Sequence, residues 1–278
     1  MLQIFQMRLS WRMVAISFYS CMKTAIRIGF VTLWGPCLAI ACWVMLSLSP
    51  TAWAQDGVKS SDSCKSTGFS VSHRFQVSMR SRGLTLSASA NMRWASDPEG
   101  AYQMQYTVKS MLTPEQQQTS KGRISGNSVL PEQFSEKGRK VQTLTVDRQR
   151  GVVRLPEAAQ EIPLQSGTVD KLSVWAQLGL WAQCSPNVFK PQQTLAIDVW
   201  GAGETEHWTV QTVGMESIAT PDGPRLALHL VRPSNQGGDT RFDVWYVPAW
   251  GPLPTRIWAE QSNGDRVEQQ LLQRQPEP

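Results

Sequence analysis

Polar and apolar residues alternate with a period of two along most of the chain beyond residue 68. Phe69, Val71, Phe75, Val77 and Met79 alternate with Ser70, Ser72, Arg74, Gln76 and Ser78. Leu84, Leu86, Ala88, Ala90, Met92 and Trp94 alternate with Thr85, Ser87, Ser89, Asn91 and Arg93, and Tyr102, Met104, Tyr106 and Val108 continue the pattern. Successive side chains of a strand point to opposite faces, so this pattern predicts strands with one buried and one wet face. Antiparallel sheets tolerate one wet face, whereas parallel sheets need both faces covered.

The same period returns in the second half. Leu195, Ile197 and Val199 show it, then Trp208 and Val210, Leu226 to Leu230, Phe242 to Tyr246, Ile257 and Ala259, and Val267 and Leu271. Turn chemistry separates these runs, at Asp97-Pro98-Glu99-Gly100, Pro221-Asp222-Gly223, Asn235-Gln236-Gly237-Gly238 and Ser262-Asn263-Gly264-Asp265. Consecutive hairpins of this kind predict a meander of roughly ten or more strands.

One segment departs from the period. Between Thr168 and Gln183, the residues Leu172, Val174, Trp175, Ala176, Leu178 and Trp181 fall at helical spacings and make a wide apolar face. Thr168 is the expected cap, with Asp170 in the first turn, where a carboxylate suits the helix dipole. The predicted fold is mainly β. A large antiparallel meander forms a curved sheet or incomplete barrel, with one apolar helix packed against it.

The N-terminal region has a different character. Residues 28–48 are apolar and carry no charge, Lys23 and Arg27 precede them, and Ala52-Trp53-Ala54 follows. Positive residues, an apolar core and a small-x-small end predict a secretory signal cleaved after Ala54, with Met22 as the alternative start. The alternative is an uncleaved inner-membrane anchor at residues 28–48, since such a run can span a bilayer. The expected organisation is a signal at 1–54, a flexible polar lead-in at 55–67 and one β-rich domain at 68–275. Export predicts a periplasmic location in a Gram-negative envelope.

Cleavage would remove Cys21, Cys37 and Cys42 and leave Cys64 and Cys184. Two thiols in an oxidising compartment predict one disulfide. It would close a loop of 120 residues (184 − 64), which contributes about 4–5 kcal/mol in the chain-entropy model.

The formal charge of +5 is misleading as a guide to partners. Arg8, Arg12, Lys23 and Arg27 precede the first acidic residue, Asp56, and removing those four of 27 basic residues leaves 23 against 22 acidic ones. A near-neutral domain gives no reason to expect nucleic acid. Charge is uneven, however, and Lys121 to Arg154 holds eight basic residues, which would suit anionic headgroups.

Catalytic signatures are absent: there is no G-x-S-x-G, C-x-x-C, H-E-x-x-H or phosphate-binding glycine loop. His73, His207 and His229 are scattered, with His73 expected to point inward, and no metal or cofactor is expected. The expectation is therefore a non-enzyme. A paired-carboxylate hydrolase is the alternative, with Asp147 and Asp170 its foremost candidates, and a ligand-free partner-binding scaffold is a third. Eight of the 12 Trp lie beyond Ala54. Trp245 and Trp258 have the opposite parity to their strands' aliphatic residues, placing them on the second sheet face or its rim.

Ser120-Lys121-Gly122-Arg123-Ile124, Leu130-Pro131-Glu132-Gln133-Phe134, Val146-Asp147 and Asp170-Lys171-Leu172-Ser173-Val174 occur in that order. Trp245-Tyr246-Val247-Pro248, Leu253-Pro254-Thr255-Arg256-Ile257 and Asn263-Gly264-Asp265 follow. In order and spacing the chain resembles DUF3108, a proteobacterial family of exported proteins known only as a domain of unknown function. It departs from that pattern at Val129, where Gly is usual, and at Val146, where Phe is usual. The resemblance implies an exported β-rich domain and supplies no catalytic residues. A looser, fold-level similarity to periplasmic lipoprotein carriers implies a curved sheet around a helix.

These expectations converge on a lipid, or the lipid part of a lipoprotein, held in a half-open sheet, with an envelope protein as a further possible partner. The candidate ligand-binding residues are Leu172, Trp175, Leu178, Trp181, Trp245 and Trp258. The candidate polar residues are Asp147, Asp170 and Arg256. Oligomeric state is not legible in the sequence.

Overall fold

The structure is a computed structural model that describes residues 67–111, 113–138, 141–155, 160–201, 205–234 and 240–277. The expected signal and anchor segments and Cys64 lie outside these residues.

The alternating runs form the strands expected of them. The first half of the chain gives β1 (Ser70–Ser81), β2 (Leu84–Ser96), β3 (Ala101–Lys109), β4 (Gln116–Ser125), β5 (Ser128–Lys137), β6 (Val141–Asp147), β7 (Val152–Leu155) and β8 (Gln160–Pro163). After the two-residue β9 (Val169–Asp170) comes helix α1 (Ser173–Cys184). The second half gives β10 (Thr194–Trp200), β11 (Thr205–Ile218), β12 (Arg225–Arg232), β13 (Arg241–Tyr246), β14 (Arg256–Glu260) and β15 (Arg266–Glu277). All 15 strands belong to one sheet, in the order β8-β7-β6-β5-β4-β3-β2-β1-β15-β14-β13-β12-β11-β10-β9. Every pairing is antiparallel except that of β9 with β10.

This order forces curvature. The first and last strands pair at the centre of the sheet, while β8 and β9, at its two outer edges, are joined by residues 164–168 alone. Laid flat, fifteen strands would hold the edges about 65 Å apart, and the joining segment reaches only about 20 Å. The sheet therefore rolls up until its ends approach. It does not close, because the edge strands do not pair with each other. Instead β9 and β10 rest against β4 and β5. Ser120 Oγ on β4 donates to Asp170 Oδ2 on β9 at 2.5 Å, and the Phe134 ring on β5 meets Trp200 on β10 edge to face.

Helix α1 fills one end of the inner face. Every residue from Ser173 to Leu180 is buried, so the helix is a core element on all sides. It shares one core with Phe75, Met92, Trp94, Met104, Phe134, Leu144, Trp200, Leu230 and Tyr246, each essentially inaccessible. Tyr246 donates from its hydroxyl to the Trp175 carbonyl at 2.9 Å. Gln177 accepts from the Val129 amide and donates to the Asn127 carbonyl, both at 2.7 Å, which fastens the β4–β5 turn to the helix.

The expected helix start is corrected. The helix begins at Ser173 rather than near Thr168, and the Thr168 hydroxyl donates to the Gln165 carbonyl instead of capping. Asp170 lies before the first turn and is itself the capping group, with Oδ1 accepting from the Leu172 and Ser173 amides at 2.8 and 2.7 Å. A strand residue cannot also be helical, and the two ladder positions Val169 and Asp170, beside Val199 and Trp200, hold the chain extended. Leu226, expected inside, is 60% exposed, because the β11–β12 hairpin runs on past the covered face.

His73 on β1 is fully buried, as its parity predicts. Its Nδ1–H donates to the Pro254 carbonyl at 2.9 Å, and Nε2 has no hydrogen-bond partner among the described residues. Burial lowers its pKa from 6.5 to about 4, with the Pro254 bond opposing the shift and Arg274 adding to it. The unfolded chain therefore takes up the proton first as the pH falls. Stability from this group is lost between pH 6.5 and about 4, roughly 3 kcal/mol in all. Urea midpoints measured across that window should fall for the wild type. They should fall less for His73→Phe, and parallel curves would show that His73 is not the group responsible.

Candidate functional site

The lengths of the elements decide where a site can be. Strands β1, β2, β11 and β15 are 12 to 14 residues long, about 40 Å, whereas α1 has 12 residues and spans about 18 Å. The helix covers only the end of the inner face that carries the β4–β5 turn and residues 247–255. Towards the other end the inward-facing apolar stripe continues with less cover. Along β2, Met92 and Ala90 are buried, Ala88 and Leu86 are half-buried, and Leu84 is exposed. Tyr106 and Val108 on β3 and Val267 on β15 are likewise half-buried. Tyr106 reaches across two strands to donate to Gln269 Oε1 at 2.9 Å.

An aromatic and charged cluster lies buried at this end of the sheet. Trp175, on the first turn of α1, packs edge to face against Trp208 and Phe242, which stack on each other with centroids 5.5 Å apart. The Arg232 guanidinium lies over both rings, 4.9 Å from Trp208, and donates to the Thr240 carbonyl. Glu206 accepts from Trp208 Nε1 at 3.0 Å and forms ion pairs with Lys171 Nζ at 3.4 Å and Arg232 at 3.9 Å. Glu136, buried beside Gln118, has its carboxyl pushed above the usual range by burial, with Gln118 and Lys171 opposing the shift. Glu206, Arg232 and Glu136 were not proposed as ligand residues from the sequence. The signal existed, because each shares parity with inward residues of its strand: Trp208, Leu230 and Phe134.

Leu172, Trp175 and Leu178 are each at most 3% exposed, and Trp181 is half-buried near the helix end. Asp170 is fully buried. Besides capping α1 it joins the Tyr102 hydroxyl through Ser120, and burial raises its pKa against the pull of its hydrogen bonds. Asp147 lies in the β6–β7 hairpin, where it accepts from the Arg150 amide and pairs with Arg154 at 2.8 Å. The two carboxylates share no partner, and Asp147's role is that of a turn former.

Trp245, Trp258 and Arg256 are on the other face, as parity predicts. Trp245 lies between the His229 ring, 4.3 Å away, and the Arg256 guanidinium at 4.8 Å. Trp258 lies between Arg241 and Arg266, and Arg256 also binds Glu268. Trp245 is buried and Trp258 half-buried, each with a guanidinium against its ring. Cys184 is buried at the end of α1, and its expected partner Cys64 lies outside the described residues. Among the described residues no cluster of His, Cys, Asp and Glu could hold a metal ion, and no helix is long and apolar enough to cross a membrane.

No curated protein matches the sequence. The solved structures that match this chain include the following two. One is a β-barrel-like protein of the domain of unknown function DUF1849 from Brucella abortus, 9% identical, with a TM-score of 0.53 over 76% of this chain and 99% of that one. It supports the rolled-sheet fold. The other is a putative outer membrane lipoprotein-sorting protein domain from Vibrio parahaemolyticus, 6% identical, with a TM-score of 0.28 over 75% of this chain and 85% of that one. Within the sheet, residues 74–271 match the family described as "Protein of unknown function (DUF3108)", and the chain belongs to that family.

Proposed function

We propose that the protein is an exported, non-catalytic component of the bacterial envelope that holds an apolar ligand in the uncovered half of its inner face. A lipid or the acyl part of a lipoprotein is the ligand class. The observation that carries this proposal is the mismatch between a short helix and long strands. It leaves Leu86, Ala88, Tyr106, Val108 and Val267 partly open, at the end of the sheet that also carries the buried Trp175, Trp208 and Phe242 cluster. Apolar surface of this kind, with few polar groups beside it, is the ordinary composition of a small-molecule site. Leu172 and Trp175 would back the ligand, while Leu178 and Trp181 hold the helix in place. Trp245, Trp258 and Arg256 would stand outside the ligand space. Export rests on residues 28–54, and a Cys64–Cys184 disulfide would anchor the lead-in to the end of α1.

Native mass spectrometry of protein purified without detergent tests this. A mass starting at Gln55, two hydrogens light for the disulfide, with added mass released as lipid, is the expected result. Val108→Asp and Leu86→Asp put a charge where the apolar chain would lie. Each should lower retained ligand by about tenfold or more while leaving the half-buried fold intact. Bare protein that takes up no fluorescent fatty acid would overturn the proposal.

A further inference from the structure

Antiparallel strands return alternately, so the β1–β2, β3–β4 and β5–β6 connections lie side by side at one end of the sheet. This is the end that α1 leaves uncovered. Each connection presents a large apolar side chain to solvent: Leu84 is 57% exposed, Met111 fully so, and Val141 55%. The same connections carry exposed cations, namely Arg80 and Arg82 on the first, Lys109 on the second and Lys137 on the third. Glu115, in the second connection, pairs with Lys109 at 3.1 Å, and both side chains stay largely exposed.

Single exposed apolar residues are ordinary on any protein. Three of them on neighbouring turns, interleaved with four cations, make a pattern suited to a bilayer surface. There apolar tips enter the headgroup boundary and cations meet anionic lipid. Arg82 adds a separate indication. With Gly83 it forms a two-residue turn in which both have positive φ, 51° and 81°, where Asn or Gly is the ordinary first residue. A cation is kept at the tip against the preference of the backbone. Leu84 also begins the inward stripe that runs through Leu86 and Ala88, so the apolar surface is continuous from the rim to the inner face.

We infer that the rim formed by Leu84, Met111 and Val141, with Arg80, Arg82, Lys109 and Lys137, docks the open end of the sheet on an anionic membrane surface. This docking does not depend on whether the inner face holds a ligand.

Flotation with lipid vesicles tests it, using the protein as isolated from cells. It should float with vesicles of equimolar phosphatidylcholine and phosphatidylglycerol, and not with phosphatidylcholine alone. Added salt should weaken the binding, because the Debye length shortens. Leu84→Ser/Met111→Ser/Val141→Ser and Arg80→Gln/Arg82→Gln/Lys109→Gln should each lose about tenfold or more in vesicle binding with unchanged thermal unfolding. The inference is overturned if the wild type does not float, or if either triple variant floats as it does. It is also overturned if the apolar triple instead dissociates a dimer in solution, which would make the rim an interface between copies. Mass spectrometry of the same variants separates the two proposals, since rim variants should keep whatever ligand the wild type holds.

Discussion

Gly179→Ala is expected to unfold or severely loosen the protein, although the same change in an ordinary helix interior would stabilise it by about 1 kcal/mol. Gly179 lies in the middle of α1, a position where Ala is the better helix former. A Cβ there would lie 2.0 Å from the Pro252 carbonyl oxygen and 2.7 Å from the Pro252 Cα. These are backbone atoms of the buried segment 251–255, which also provides the Pro254 carbonyl bonded by His73. Neither side can yield easily. The helix must move away from its wall and open a cavity, or residues 247–255 must move and break the His73 bond. A loss on the order of 4 kcal/mol or more follows from overpacking combined with lost burial. Chemical denaturation of Gly179→Ala and Gly179→Ser reads this directly. A variant as stable as the wild type would mean that α1 is not wedged against Pro252.

The contrast between propensity and packing at Gly179 shows where the sequence is legible. The period of two fixed the face of nearly every strand residue, including Trp245 and Trp258 on the outer face and His73 inside. It did so because side-chain direction in a strand is local geometry. How the sheet rolls is not local. It follows from β8 and β9 being sequence neighbours at opposite edges, which only the full pairing order reveals. The helix start was misplaced for a related reason. Thr168 and Asp170 both look like caps, and the choice between them depends on β9 pairing with β10. The ion group of Lys171, Glu206 and Arg232 joins three distant segments. Glu206 and Arg232 share parity with inward residues of their strands, but nothing local shows that they meet.

Asp170→Ala is expected to cost about 4 kcal/mol, and Asp170→Asn far less. The carboxylate holds three structural groups directly and a fourth through one of them. Oδ1 takes the two amides at the start of α1, and Oδ2 takes the Ser120 hydroxyl, which in turn meets the Tyr102 hydroxyl. It is thus both the helix cap and the bond that draws edge strand β9 onto β4. Alanine strands two buried amide donors and a buried hydroxyl, each costing about 1–3 kcal/mol. Asparagine keeps an acceptor for the amides and turns its own NH2 towards Ser120 Oγ, which can accept. Both variants should also differ from the wild type in pH dependence. Burial raises the Asp170 pKa, so the folded state holds this proton more tightly than the unfolded chain does. Stability from this group is full at low pH and declines as the pH rises through the folded-state value. Either substitution removes that decline, so relative to the wild type each variant should gain stability as the pH rises from acid towards neutral. Denaturation curves at several pH values for the wild type and both variants measure cap and charge separately. Equal losses in Asp170→Ala and Asp170→Asn would show that the charge itself, rather than the hydrogen bonds it accepts, holds the seam.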